Sequence, residues 1–219
     1  MKRPSVLMNS AMTVDGKISA GKGDKISGRR DLETVHKIRA KSDAVMVGIG
    51  TVLADNPELT VRRVEGKNPA RIVVDSWGRT PPGSKVLDDS AKSYIAVVET
   101  LDEERRRILE KAGGKVLRIT PNQNGMVNLK ALMKELFKRG IESVMLEGGS
   151  TLNWSMLKSG LVDEIRVVIG SKIVGGKKAK TLVGGDGFKR ISEGISLILK
   201  NVERIGKDVA LTYEVEKRI

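Results

Sequence analysis

Asp43-Ala-Val-Met-Val-Gly48-Ile-Gly50-Thr51-Val-Leu-Ala-Asp55-Asn-Pro57 is the stretch that decides the fold. Val45-Met46-Val47 is a continuous apolar run of strand length, the pattern of a strand covered on both faces. Two glycines then lead into a short helix expected to start near Thr51. Asn56-Pro57 ends that helix, because a residue preceding proline is pushed out of the helical region. A buried strand followed by a glycine turn and a helix is the repeating unit of a parallel α/β sheet.

The same unit recurs on either side. Strands are expected at Ser5–Met12, Asp43–Gly48, Arg71–Asp75, Ser93–Val98, Lys115–Ile119 and Ser143–Leu146, with Ile72-Val73-Val74 and Val144-Met145-Leu146 again continuously apolar. Amphipathic helices are expected at Leu32–Lys41, Asp102–Ala112, Leu129–Arg139 and Thr151–Ser159. Thr100-Leu-Asp-Glu103 reads as a capping box. Gly113 and Gly140 suit the left-handed stop position of a helix. Glu164–Ile169, Ser196–Val202 and Val209–Val215 read as strands without intervening helices. The expected fold class is therefore α/β, a mostly parallel central sheet finished by an antiparallel C-terminal pair. No linker, fixed-period repeat or low-complexity tract interrupts residues 1–219, which leads to the expectation of a single domain.

The 219 residues, with 39% hydrophobic content and a mean hydropathy of −0.21, describe a globular chain with enough apolar side chains for a core. No stretch approaches the roughly 20 apolar residues of a membrane-spanning helix. The first residues form no convincing secretory signal, since Asn9 and Asp15 break the apolar run. The absence of cysteine excludes disulfides and thiolate chemistry, and fits a cytoplasmic setting.

Forty basic against 27 acidic residues leave a net charge of +13. Residues 1–41 hold ten Lys/Arg and four Asp/Glu, and residues 172–190 hold six and one, so the excess is local. Such a field draws phosphates, nucleic acids or anionic lipids. With only 3% aromatic residues the chain is poor in stacking platforms, which argues against nucleic acid.

Several motifs are missing. Gly48-Ile-Gly50-Thr-Val-Leu53 falls one glycine short of the dinucleotide fingerprint. There is no phosphate-loop signature and no Gly-x-Ser-x-Gly elbow, and no acidic cluster supports a metal site. The lone histidine, His36, reads as structural or substrate-adjacent rather than as a general acid.

Four polar, glycine-bearing segments remain at strand ends, where open α/β sheets form their ligand crevice. Asn9 to Lys17 contains an Asp15-Gly16 turn that is expected to bring Asp15 and Lys17 together. Gly48 to Asp55 places Gly50 and Thr51 at a helix start, whose amides can hold a phosphate. In Asp75-Ser76-Trp77-Gly78-Arg79, Asp75 suits ribose hydroxyls, whereas Ser76 and Arg79 suit a phosphate. In Glu147-Gly148-Gly149-Ser150-Thr151 the glycines clear space, Ser or Thr caps the helix, and Glu147 points into the crevice. Polar turns and a plainly capped helix would use the same residues.

Together these segments resemble the reductases of riboflavin biosynthesis, both the stand-alone archaeal type and the C-terminal domain of the bacterial bifunctional deaminase-reductase. The resemblance rests on Met12-Thr-Val-Asp-Gly-Lys17, Val35-His-Lys-Ile-Arg-Ala40, Asp43 through Arg62, Arg71-Ile-Val-Val-Asp-Ser76, Glu147-Gly-Gly149 and Gly160-Leu-Val-Asp-Glu164. It implies a dihydrofolate-reductase-like α/β/α fold, a homodimer, and NADPH-dependent reduction of a ribosylamino-pyrimidine 5′-phosphate to the ribitylamino product, with NADH tolerated. It implies cofactor positions at Gly50, Thr51, Asp55, Ser76, Trp77, Gly78, Arg79, Val127, Gly148, Gly149, Ser150 and Thr151. Substrate positions fall on Asp15, Arg39, Leu59, Arg62 and Glu147, and a lysine near the reacting ribose on Lys17. Lys17 and Glu147 are then the candidates for proton transfer or positioning. A cis peptide is implied at Gly148–Gly149. The chain departs from the bacterial form in lacking the cysteines of its zinc deaminase. A dihydrofolate-reductase-type enzyme is the nearer alternative, and a basic nucleic-acid-binding domain the more distant one.

Overall fold

The computed structural model describes residues 2–19 and 25–216. In chain order it contains β1 (Ser5–Thr13), β2 (Lys17–Ser19), α1 (Arg29–Lys41), β3 (Ala44–Gly48), α2 (Ile49–Asp55), β4 (Ala70–Val74), β5 (Ser93–Val98) and α3 (Glu103–Lys111). There follow β6 (Gly114–Ile119), α4 (Leu129–Lys138), β7 (Ser143–Leu146), α5 (Ser150–Lys158), β8 (Glu164–Gly170), β9 (Lys180–Thr181), β10 (Leu197–Ile205) and β11 (Asp208–Val215). The residues group into two compact units, one of residues 1–4 and 36–145, the other of 5–35 and 146–219.

In the first unit the strand order is β7-β3-β4-β5-β6. β3 to β6 pair in parallel, Val45 opposite Arg71 and Ile72 opposite Tyr94. Val45, Met46 and Val47 are fully buried, as are Ile72, Val73 and Ile95. Each such side chain contributes about 1.5–3 kcal/mol over its exposed state. α4 adds Leu132, Met133 and Leu136, an i, i+1, i+4 stripe on one face. Asp43 aligns two strand starts: its carboxylate accepts from the Glu142 and Ser143 amides at 2.9 and 2.8 Å. Burial alone raises this carboxyl, but the Ser143 hydroxyl and those two amides together hold it below its ordinary value.

Of the two end signals of α3, the start departs from expectation and the stop does not. α3 is capped by Asp102, whose side chain accepts from the Arg105 amide at 3.0 Å, and not by Thr100. The helix starts at Glu103, so the neighbouring carboxylate reaches the free amides first, while Glu103 pairs with Arg106 at 2.8 Å. Gly113 does stop α3 with φ +101, and a Cβ there would lie 2.4 Å from the Leu87 carbonyl oxygen.

Arg71 organises the residues between β4 and β5. Fully buried, it donates to the Ser93 hydroxyl at 2.8 Å, the Asp88 carboxylate at 2.8 Å, and the Lys85 and Ala91 carbonyls at 3.1 and 2.6 Å. The Ser90 hydroxyl, followed by Arg71, lowers the Asp88 carboxyl to about 2. A carboxyl depressed in the folded state adds stability that is present above its unfolded value and is lost as pH falls through the folded one. Asp88→Asn is therefore expected to lower the urea midpoint at pH 7, with the difference closing between about pH 4 and about pH 2. Asp88 is nearly half exposed, so the effect is small. A midpoint difference unchanged down to pH 2 would remove the carboxylate from the account.

In the second unit the strand order is β10-β11-β8-β1. β1 and β8 are parallel, with Leu7 opposite Glu164, while β11 runs antiparallel to both β8 and β10. The mostly parallel sheet with an antiparallel C-terminal pair is thus present. Arg166 of β8 is buried and bonds Asn9 of β1 at 3.0 Å and Asp31 of α1 at 2.7 Å. Asp208 accepts from the Gly28 and Ser171 amides, both at 3.0 Å. Sequence periodicity missed the short antiparallel pair β2–β9, because two or three residues carry no readable period. Among the described residues no helix is long and apolar enough to cross a membrane.

Candidate active site

In the first unit, α2 starts at Ile49, two residues before the expected Thr51. Gly48 occupies the cap position in extended conformation, with no side chain bonded to the first-turn amides and no acidic residue in that turn. Gly50 and Thr51 therefore lie at the electropositive end and Asp55 at the other. Asn56 closes the helix in the left-handed region, φ 42, its amide on the Val52 carbonyl at 3.0 Å.

The loop after β4 is braced by its own side chains. Asp75 is fully buried and accepts from both the amide and the hydroxyl of Thr80, at 2.7 and 2.8 Å. Through that one oxygen it shapes its own loop. Its other oxygen has no hydrogen bond and lies 3.8 Å from the Arg79 Nε. Ser76, also buried, accepts from the Val127 amide at 3.0 Å, which joins two candidate cofactor residues 51 positions apart. Gly78 turns the chain with φ 63, and a Cβ there would press on Arg105 and Leu101 at 3.2 Å. The outward groups are Trp77, half exposed, and Arg79, whose guanidinium stands 5.3 Å from the Trp77 ring centre.

The candidate substrate residues of this unit are also held by the backbone around them. Arg39 is buried and donates to the Thr60 carbonyl at 3.0 Å. Leu59 is buried with φ 55. The Arg62 amide donates to the His36 Nδ1 at 3.0 Å, while its half-exposed guanidinium pairs with Glu58. Burial, then the charges of Arg39 and Arg63, push the Arg62 guanidinium below its ordinary value, which leaves it cationic at neutral pH. Three arginines thus concentrate positive charge around one segment.

In the second unit the Asp15-Gly16 turn forms with Gly16 at φ 76. Asp15 does not spend its oxygens on Lys17. It accepts from the Thr13 hydroxyl at 2.5 Å and from the Val174 and Gly175 amides at 3.2 and 2.7 Å. The Thr13 hydroxyl bond, followed by the Gly175 amide, lowers the Asp15 carboxyl to about 2. The Lys17 amide in turn donates to the Thr13 oxygen at 2.9 Å.

The Gly148–Gly149 peptide is cis. Gly149 caps α5 with no side-chain bond to the first-turn amides, so the expected Ser or Thr cap is replaced: Ser150 and Thr151 are the first helical residues. Glu147 precedes the glycines and is half-buried. Asn153 is buried, donates to the Leu182 carbonyl at 2.9 Å, and leaves its Oδ1 without a partner beside Gly148, where a Cβ would come within 3.2 Å of it.

The basic segment 172–190, an unplaced charge in the sequence, connects these two motifs. It is tied to the 13–17 turn through Asp15 and through the pairing of Lys17 with Thr181. It is tied to α5 through Asn153, the Gly184 amide on the Ser150 carbonyl at 3.1 Å, and an edge contact of Phe188 with Trp154 at 5.1 Å. A Cβ on Gly185 would fall 1.9 Å from the Trp154 ring. Thr13, Asn153, Gly184 and Gly185 hold the candidate segments together and were not singled out by sequence reading. The glycine cluster Gly184-Gly185-Asp-Gly187 was the signal that could have flagged the last two.

A model of the RibD C-terminal domain matches residues 4–211. The 2,5-diamino-6-ribosylamino-4(3H)-pyrimidinone 5′-phosphate reductase of Methanothermobacter thermautotrophicus is 49% identical over 218 residues, covering 98% of this chain and 99% of that one. Among solved structures, Acinetobacter baumannii RibD superposes with a TM-score of 0.82 at 27% identity, covering 98% of this chain and 58% of that longer one. Dihydrofolate reductase from Enterococcus faecalis superposes with a TM-score of 0.51 at 12% identity over 99% of both chains, a likeness of fold alone.

Proposed function

The chain belongs to the RibD C-terminal domain family, and from that premise we propose that it reduces the ribose of 2,5-diamino-6-ribosylamino-4(3H)-pyrimidinone 5′-phosphate to the ribitylamino product with NADPH. The observation that carries this reading is the entry to α5: a glycine cap with no side-chain cap bond and a first turn without an acidic residue, preceded by Glu147 and built in one unit with the Lys17 turn.

The residues fit a dinucleotide. Gly148, Gly149, Ser150 and Thr151, with Gly50 and Thr51, offer helix-start amides to phosphates. Asp55, Ser76, Trp77, Gly78 and Val127 complete the cofactor set. Arg79, half exposed and with Asp75 3.8 Å from its Nε, presents the outward charge of this loop and is suited to attract a 2′-phosphate, which supports NADPH over NADH. When bound, the nicotinamide supplies the hydride that ends on the anomeric carbon.

Opening the ribose ring leaves its oxygen in need of a proton. The Lys17 ammonium is suited to deliver it, and Glu147 to hold the sugar hydroxyls or the amine. Arg62 and Arg39 supply positive charge for the 5′-phosphate, Leu59 shapes the segment between them, and Asp15 holds the Lys17 turn in place. The local positive field serves two small anions rather than nucleic acid. The active form is a homodimer in the cytoplasm; β10, exposed over eight of its nine residues, offers an open strand edge with Leu197, Ile198, Leu199 and Val202 for pairing.

NADPH oxidation followed by absorbance tests the assignment. Turnover is expected with the diamino substrate, more slowly with its deaminated counterpart, and not with dihydrofolate. Oxidation with dihydrofolate alone would overturn it.

A further inference from the structure

We infer that His36 is a positioning residue: it fixes the backbone that presents Arg62 to the anionic end of the substrate. The inference rests on the reading of Arg62 given above. It starts from the helix. His36, Arg39 and Ala40 of α1 stand three and four residues apart, on one face. Each meets the segment that follows Leu59. The Arg39 guanidinium takes the Thr60 carbonyl at 3.0 Å, the His36 Nδ1 takes the Arg62 amide at 3.0 Å, and Ala40 lies where a Cβ on Gly66 would approach it to 2.6 Å.

The segment needs such support. Leu59 enters it with φ 55, a conformation uncommon in any residue but glycine. Three successive residues then have a backbone group held by a side chain: the Thr60 carbonyl by Arg39, the Val61 amide by Asn68 at 2.7 Å, and the Arg62 amide by His36. The geometry of the Arg62 stem is therefore set by side chains of other segments. His36 is 4% exposed, so water is a poor substitute for its nitrogen.

An acceptor is what this place requires. A neutral imidazole with its proton on Nε2 presents Nδ1 as one. Lysine and arginine only donate, and an apolar side chain would take from the part-buried Arg62 amide the acceptor that holds it. Because a displacement of about 1 Å in a binding group weakens its action steeply, the cost should appear in substrate binding.

Steady-state kinetics of the full chain with the ribosylamino-pyrimidine 5′-phosphate tests this. His36→Leu is expected to raise the substrate KM roughly tenfold, with kcat changed less than about threefold and the NADPH KM unmoved. His36→Asn, whose side-chain oxygen sits near the place of Nδ1, should recover most of the loss. His36→Gln, whose oxygen reaches the place of Nε2, should not. Gly66→Ala, which pushes the same segment from Ala40, should raise KM in the same direction. Nitrogen-15 spectra of the imidazole should show the proton on Nε2.

Arg62→Ala separates the two levels. If it raises KM while His36→Leu does not, or if Asn fares no better than Leu, positioning by His36 is refuted and the role of Arg62 stands. If Arg62→Ala leaves KM unchanged, the role of Arg62 fails and this inference with it. Should His36→Leu not fold, the contrast between Asn and Gln decides.

Discussion

Lys17→Ala is expected to lower kcat by about 10²–10⁴-fold, the usual weight of a group that moves a proton in the transition state. The variant is a clean probe because the lysine is held through its backbone. Its amide donates to the Thr13 oxygen and its strand pairs with Thr181, and neither contact involves the side chain. The turn, the β2–β9 pair and the seating of the basic segment should therefore survive, and the melting temperature should stay within a degree or two of wild type. Glu147→Ala should also lower turnover, with a share of the loss in KM if the carboxylate mainly holds sugar hydroxyls. Single-turnover rates with the diamino substrate check both. Rates unchanged in the two variants would remove Lys17 and Glu147 from the chemistry.

The largest expected effect on stability lies at Arg166. Its guanidinium and the Asp31 carboxylate are less than a tenth exposed and 2.7 Å apart. Asp31→Asn keeps the shape and removes the charge, leaving an uncompensated cation in the core of the second unit. A loss of about 3–5 kcal/mol is expected from the denaturant midpoint. Replacing both partners by apolar residues, as in Asp31→Leu with Arg166→Met, should recover much of it, because no charge then remains to be solvated. A loss below about 1 kcal/mol in the single variant would show that solvent reaches the pair. The pair joins α1 to β8, so its removal should loosen the start of α1 before its end.

Much of the architecture was legible from periodicity. β5 and β7 have the expected bounds, and the other strands of the apolar runs shift by a few residues at most. These strands are covered on both faces, and such burial leaves an unbroken apolar run that needs no partner to be read. α1 began three residues early for the converse reason: Arg29 and Arg30 are exposed, so no apolar spacing marks them. Cap identity was less legible. Thr100 and Asp102 are both good caps by type, and only the path of the chain decides which oxygen meets the free amides of α3.

The candidate site divides along the same line. Residue types and spacing singled out the four glycine-bearing segments, since a turn, a helix start and a close approach are local demands on local residues; the cis Gly148–Gly149 peptide was implied by the family resemblance and is present. Residue type offered Asp75 and Asp15 to ligands, and in the structure their carboxylates accept from Thr80 in one case and from Thr13, Val174 and Gly175 in the other. A carboxylate reads the same in sequence whether it faces a ribose or its own loop. The pairings Ser76 with Val127, His36 with Arg62, Arg166 with Asp31 and Asn153 with Leu182 span between 26 and 135 residues. Hydrogen bonds over such separations exist only once the sheet has brought distant segments together. The sequence by itself determined the order of strands and helices and the chemistry on offer at their ends. Tertiary structure alone decided which of those polar groups are consumed in holding the fold and which are left to face a ligand.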